Sequence, residues 1–314
     1  MIDLTEFGIR ETPLIELTRL SPTGVRIFAK CEWHLPTGSV KDRVAAAMVA
    51  AAETRGLLRP GDRLIEPSSG NTGIALARIA RMRGYRLAVV VPDNVSAERI
   101  ELLEAFGAEV RFSPGAEGSN GAVTLAERLA RDEGHLMLHQ YENPANPEVH
   151  AATTGPEIVT QLAAMGIDRA DVFVACLGTG GTLTGVGAHL KEVWPDLKVI
   201  AAEPPAGETI AGLRSLAEGY IPPVFDPAVV DRKLLVRLRP SIETTRLLLD
   251  AEGLFVGPSS GAAVYAALRI AGDLPPGSVL VTVLPDAGWK YLSTGIYTGS
   301  LDLAEEKAVG STLW

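Results

Sequence analysis

The chain is short of cysteine, of aromatic side chains and of positive charge. Two cysteines in 314 residues, Cys31 and Cys176, are too few for the disulfide framework of a small secreted protein. Both sit in apolar runs and read as reduced core thiols. No Cys/His grouping has zinc spacing, so no metal centre is expected. Basic residues number 29 against 38 acidic ones, a net charge of -9. That balance disfavours nucleic acid as the main ligand, because a phosphate backbone needs a basic face. A small anion held in a local pocket remains open. No uncharged apolar run is long enough to span a bilayer. The opening residues, Met1-Ile2-Asp3-Leu4-Thr5-Glu6, lack the basic and apolar regions of a secretory leader. A cytoplasmic protein with no membrane partner is expected.

Several functional signatures are also missing. The cluster Gly178-Thr179-Gly180-Gly181-Thr182 has Leu183 where a dinucleotide fingerprint needs its third glycine. No Walker-type loop or H-E-x-x-H pair occurs. Gly257-Pro258-Ser259-Ser260-Gly261 matches the G-x-S-x-G nucleophile elbow, but that hydrolase fold needs a histidine after the serine. The five histidines, His34, His135, His139, His150 and His189, all precede Ser259, which rejects that reading.

What is present is ordinary globular material. Hydrophobic residues make up 46% and charged residues 21%, enough for a sizeable core without staples. Short β-branched runs alternate with helical stretches. Strands are expected at Val25–Lys30, Arg63–Glu66, Arg86–Val91, Glu109–Phe112, Leu136–Leu138, Asp171–Leu177, Lys198–Ala202 and Val279–Leu284. Helices are expected from Ser39 to Ala52, Asn71 to Arg83, Ser96 to Phe106, Gly121 to Gly134, Glu157 to Met165, Thr182 to Val193, Ser241 to Glu252 and Ser260 to Ala271. Residues 213–240 read as irregular. Repeated strand–helix units imply an α/β fold with parallel sheets covered by helices. The rhythm restarts near Asn143-Pro144-Ala145-Asn146-Pro147, the best boundary candidate. Two doubly wound sheet domains with an active site in their cleft are expected.

Three segments carry chemistry. Gly178–Thr182 joins a buried strand to a helix, so its backbone N–H groups and threonine hydroxyls suit a phosphate. In Pro36-Thr37-Gly38-Ser39-Val40-Lys41-Asp42-Arg43, Ser39 reads as an N-cap. Lys41 then lies at a helix start, where the positive dipole end lowers its pKa and favours the neutral amine. Alone, this run reads more readily as a solvated Lys-Asp-Arg charge cluster. Glu66-Pro67-Ser68-Ser69-Gly70-Asn71-Thr72-Gly73 is a second donor-rich helix start, suited to a carboxylate.

These segments, with Gly107-Ala108-Glu109, Gln140-Tyr141-x-Asn143-Pro144-Ala145-Asn146, Ser259-Ser260-Gly261 and Asp286-x-Gly288-x-x-Tyr291-Leu292-Ser293-Thr294, resemble the fold-type II pyridoxal-phosphate enzymes of the cysteine synthase family. They occur in the family's order over nearly the whole chain. The resemblance implies a smaller domain at 36–145 and a larger cofactor-binding domain from 1–35 and 146–314. It implies that Lys41 forms the internal Schiff base. Gly178, Thr179, Gly180, Gly181 and Thr182 would hold the cofactor phosphate, and Asn71 its 3′ oxygen. Ser68, Ser69, Gly70, Thr72 and Gln140 would receive the substrate carboxylate. Ser259 would meet the pyridine nitrogen. A serine there makes the ring a weaker electron sink than a carboxylate would, which favours prompt loss of a group from the β carbon.

The sequence departs from the family's pattern at Leu35, where asparagine is frequent, at Arg10-Glu11, where Gly-Asn is frequent, and at Ser68, where threonine is frequent. None of these removes a reacting group. Ile210-Ala211-Gly212-Leu213-Arg214 falls where O-acetylserine enzymes commonly carry small uncharged residues. Arg214 suits a phosphate leaving group; from the residues alone a surface pair with Glu218 is the equal alternative. Asp286-Ala287-Gly288-Trp289-Lys290-Tyr291, the acidic tail helix and the terminal Gly310-Ser311-Thr312-Leu313-Trp314 resemble the actinobacterial-type O-phosphoserine sulfhydrylases. That likeness implies cysteine synthesis from O-phospho-L-serine, with a thiocarboxylated small sulfur-carrier protein as donor and a homodimeric enzyme. O-acetylserine with free sulfide, another nucleophile, or an inactive scaffold are the alternatives.

Overall fold

A computed structural model describes residues 3–95 and 97–310. The expected cap at Ser96 and the tail at 311–314 lie outside the described residues. The strands are β1 (Leu14–Glu16), β2 (Arg26–Cys31), β3 (Arg63–Glu66), β4 (Arg86–Pro92), β5 (Glu109–Ser113), β6 (Leu136–Met137), β7 (Val172–Cys176), β8 (Lys198–Glu203), β9 (Arg232–Leu235) and β10 (Val279–Leu284). The helices are α1 (Lys41–Thr54), α2 (Asn71–Arg83), α3 (Ala97–Ala105), α4 (Gly118–Glu133), α5 (Ala145–Val149), α6 (Gly155–Ala164), α7 (Gly181–Val193), α8 (Leu238–Glu252), α9 (Pro258–Ala271) and α10 (Leu301–Gly310).

Two sheets result. One has the order β1-β2-β10-β7-β8-β9 and the other β5-β4-β3-β6. Every pairing is parallel except β1 with β2. Parallel neighbours need a crossover, and the helices supply it. The central strand β10 (Val-Leu-Val-Thr-Val-Leu) is buried at all six positions, as a strand covered on both faces must be. Its one hydroxyl, Thr282, donates to the carbonyl of Val174 at 2.9 Å. The core of the smaller sheet gathers around α1 and α2 and takes in Leu4, Phe7, Ile9 and Val149. Runs of alanine in α1 let that helix sit close to its neighbours.

Both sheets change winding direction at one point. In the larger, β7 leads through α7 to β8 on one side, while β10 lies on the other. In the smaller, β3 leads through α2 to β4, while β6 lies on the other side. Crevices outside the carboxyl ends of strands at such switch points are where open α/β sheets bind ligands.

Four local expectations need correction. Ser39 does not cap α1: the helix starts at Lys41 with Val40 before it, and Ser39 pairs with Asp286 in an isolated bridge. β1 and β9 are short edge strands beside Pro13 and in the Pro-interrupted 213–240 region. The helix expected from Glu157 begins at α5 and continues through a π-helical turn (His150–Thr154) into α6. Cys31 is buried, but Cys176 is only half-buried and lines a cavity.

Candidate active site

One cavity lies at the two switch points. Lys41, Ser68, Gly70, Asn71, Thr72, Gln140, Gly178, Thr179, Gly180, Thr182, Arg214 and Ser259 all line it. Of the residues expected from sequence, Ser69 and Gly181 are not in its wall; both are buried beside residues that are. Four helix N-termini converge here: α1 brings Lys41, α2 Asn71, α7 Thr182 and α9 Ser259. In none of the four does the N-cap residue's own side chain cap the helix, although the Ser68 hydroxyl accepts from the Gly73 N–H and the Thr179 hydroxyl from the Gly181 N–H, both at 3.3 Å. Their positive dipole ends and the first-turn N–H groups not already taken make the cavity a seat for anions, although the chain as a whole is acidic.

The glycine cup is held from behind. Gly180 has a φ of 89°, a left-handed conformation that side chains rarely adopt. A Cβ there would lie 2.6 Å from Phe225 Cβ, and one at Gly181 would lie 2.0 Å from Asn146 Oδ1. Asn146 Nδ2 donates to the Thr179 hydroxyl at 3.0 Å and to the Gln140 carbonyl at 2.8 Å. One amide thus links the cup to the opposite wall. Thr182 Oγ1 lies 3.4 Å from His150 Nε2.

The second wall is set by Glu66 at the end of β3. Its carboxylate accepts from the backbone N–H groups of Leu138, His139 and Gln140 at 3.2, 3.3 and 3.2 Å. Burial raises the Glu66 pKa, and those hydrogen bonds oppose the rise. Gln140 Oε1 in turn accepts from the Thr72 hydroxyl. Gln140 and Thr72 therefore face one region above the start of α2.

Lys41 is the first residue of α1. Burial pushes its amine down to about 8, and the nearby Asp286 carboxylate opposes this. Asp286 is itself buried. It accepts from Asn71 Nδ2 at 2.8 Å, the Tyr291 hydroxyl at 2.6 Å and the Ser259 hydroxyl at 3.4 Å. Asp286 and Glu66 hold side chains and backbone of the cavity wall in place, a part that the motif reading passed over. Asp286 stands inside a quoted motif, but nothing local shows that its carboxylate lies behind both Asn71 and Ser259.

Arg214 enters from a loop. Its guanidinium carbon lies 5.1 Å from the ring centre of Tyr141 and 4.9 Å from that of Tyr220. The two rings meet edge to face at 6.0 Å. Glu218, the alternative partner expected for Arg214, accepts from the backbone N–H of Gly207 at 3.4 Å.

The donor set fits a phosphate-bearing aldehyde cofactor. An amine with a lowered pKa, a glycine cup at a helix start and a second donor-rich helix start share one cavity. The comparisons agree. The family model for "Pyridoxal-phosphate dependent enzyme" matches residues 5–286. A cysteine synthase of Staphylococcus aureus is 41% identical over 295 residues, covering 91% of this chain and 94% of its own. A probable cysteine synthase of Bacillus subtilis is 42% identical over 299 residues, covering 92% and 96%. The crystal structure of an O-ureido-L-serine synthase superposes with a TM-score of 0.89 at 40% identity, covering 96% of each chain. With sheets, cavity and relatives in accord, the chain belongs to the pyridoxal-phosphate dependent enzymes of fold type II and is cysteine-synthase-like among them.

Proposed function

We propose that this enzyme makes L-cysteine by β-replacement on O-phospho-L-serine. The observation that carries the substrate assignment is Arg214, a guanidinium set between two tyrosine rings in the cavity wall. A planar fork held close to two ring faces suits a leaving phosphate, whereas an acetyl group gives it no full charge to meet. In this reading Gly178, Thr179, Gly180, Gly181 and Thr182 hold the cofactor phosphate, Asn71 faces its ring oxygen and Ser259 its ring nitrogen. Pyridoxal phosphate, when bound, supplies the electron sink that loosens the substrate's α proton. Ser68, Ser69, Gly70, Thr72 and Gln140 fix the substrate carboxylate at the start of α2. The Lys41 amine takes the α proton and returns it after sulfur has replaced phosphate on the β carbon. Ser259 lies at the positive end of α9, which disfavours a proton on the ring nitrogen.

Sulfide or a thiocarboxylated small carrier protein is the proposed donor, and a cytoplasmic homodimer the proposed form. The likeness to O-ureido-L-serine synthase favours a second reading, in which oxygen rather than sulfur is the incoming atom. The test is to give the cofactor-loaded enzyme O-phosphoserine and O-acetylserine separately, each with sulfide, and quantify cysteine. A higher kcat/KM for O-phosphoserine is expected. A clear preference for O-acetylserine sinks the substrate assignment, and absence of cysteine from both sinks cysteine synthesis.

A further inference from the structure

Lys290 is nearly fully buried, at 6% exposure, on a short 3-10 turn (Gly288–Thr294) that follows β10. Lysines are almost never buried without a partner. Its Nζ donates to Asn71 Oδ1 at 2.6 Å, across the cleft from the larger sheet to the start of α2. The other end of the same amide, Nδ2, donates to Asp286 Oδ2 at 2.8 Å. An asparagine amide has nearly the same shape either way round, so its orientation is set by its partners. Here both partners are single-minded. An ammonium only donates and therefore demands the oxygen. A carboxylate only accepts and therefore demands the nitrogen.

Nδ2 carries two hydrogens, and Asp286 takes one. Asn71 lines the cavity, so the second N–H is available to an acceptor there. Reversed, the amide would turn a carbonyl oxygen towards an anionic ring oxygen and repel it. We propose that Lys290 is a positioning residue for the cofactor, holding the Asn71 amide so that an N–H and not a C=O faces the ring oxygen. This rests on the reading of Asn71 given under the proposed function. The other charged neighbours of Lys290 are Asp286, Asp42 on α1 and Arg99 on α3, and burial lowers its pKa to about 8 against the pull of the two carboxylates. Neutralising Asp42 and Asp286 is thus the rival role, and the two roles predict different outcomes.

The experiment compares K290M, K290R, N71A and the K290M/N71A double variant. Each is read by pyridoxal phosphate affinity of the apoprotein, by the ratio of visible to near-ultraviolet absorbance when loaded, and by thermal unfolding of the apoprotein. K290M is expected to bind the cofactor about tenfold less tightly, the lower end of what outer partners of metal ligands contribute. Absorbance should move towards the near-ultraviolet, K290R should restore both readings, and the double variant should lose no more than N71A. If K290M does not fold, K290Q serves in its place with the same expectation relative to K290R. An apoprotein destabilised with unchanged affinity and spectrum overturns the proposal in favour of charge neutralisation. Wild-type readings from N71A overturn the Asn71 reading and this inference with it. A changed N71A beside an unchanged K290M overturns this inference alone.

Discussion

Lys41 shows how one side chain acquires a reactive state. With a pKa lowered by burial to about 8, roughly a tenth of the amine is neutral at pH 7 and roughly nine tenths at pH 9. Only the neutral amine condenses with an aldehyde. Capture of pyridoxal phosphate by the apoprotein should therefore quicken about tenfold between pH 7 and pH 9 and level off above, as stopped-flow absorbance would record. A profile still climbing steeply at pH 10 would mean an unshifted lysine. The same shift bears on apoprotein stability. The folded pKa lies below the ordinary lysine value of 10.5, so the unfolded chain binds more protons between about 8 and 10.5, and stability rises with pH across that window. In the proposed function Arg214 meets the other end of the substrate. A hydrogen bond to a charged group is worth roughly 1.5–3 kcal/mol, so Arg214→Ala should cut kcat/KM for O-phosphoserine by about ten- to a hundredfold. O-acetylserine should change little. Equal losses on both would remove Arg214 from substrate recognition. The lysine and glycine runs were legible as candidates because each is short and local, a lysine at a helix start and glycines between strand and helix, while the cofactor roles proposed for them came from the family resemblance. Glu66 and Asp286 were not, because their roles come from partners 72 and 215 residues away.

At the scale of elements, the site is a property of helix ends. Four N-termini whose N-cap residues lend no side chain to the helix would be a defect on a surface; around one cavity they form an anion seat. The tightest element is the turn into α7. Gly180→Ala forces a left-handed φ on alanine, costing about 1–2 kcal/mol, and drives its methyl into Phe225 Cβ. The apoprotein should unfold at lower urea, and cofactor affinity should drop with it in a spectral titration. Unchanged affinity would mean that this cup does not seat the phosphate. Elements with unbroken patterns were read to the residue: α2, closed by Gly84 in the left-handed region, and β10, apolar but for Thr282 and buried throughout. β9 escaped because its residues Arg-Lys-Leu-Leu are mostly exposed at a sheet edge. There periodicity carries no signal and pairing with β8 decides. The prolines at 144 and 147 read as a break, yet α5 starts between them, where a first helical turn tolerates proline. The His150–Thr154 π turn had no pattern to announce it.

At the scale of the whole molecule, α1 must be held against the larger sheet if Lys41 is to face the cup, and a buried ion network does this. Arg43, two residues after Lys41, donates from Nε to Glu32 at 2.8 Å, and from Nη1 and Nη2 to the two Glu157 oxygens at 2.6 and 2.7 Å. Lys30 reaches Glu157 at 2.7 Å, and the Thr12 hydroxyl donates to Glu32 at 2.7 Å. Burial alone would raise the Glu32 pKa, but Arg43 and Thr12 more than offset it and hold it below the ordinary value. Arg43→Met takes from buried Glu32 its hydrogen-bonded counter-ion and leaves only the more distant Lys30 charge, a loss of up to about 3–5 kcal/mol by the usual cost of breaking a buried pair. The pH sign separates charge from packing. In the parent protein the depressed Glu32 pKa gives stability that is present above 4.5 and lost as pH falls through the folded value. In the variant the largest offset to burial is gone and only Thr12 and Lys30 still oppose it, so the Glu32 pKa rises and protonation relieves the folded state. The gap between the two proteins in urea unfolding should therefore narrow as pH falls from neutral towards 4. Adding Glu32→Gln to the variant should recover much of the loss at pH 7. A gap that stays constant with pH would mean that Arg43 holds α1 by the bulk of its side chain and not by its charge.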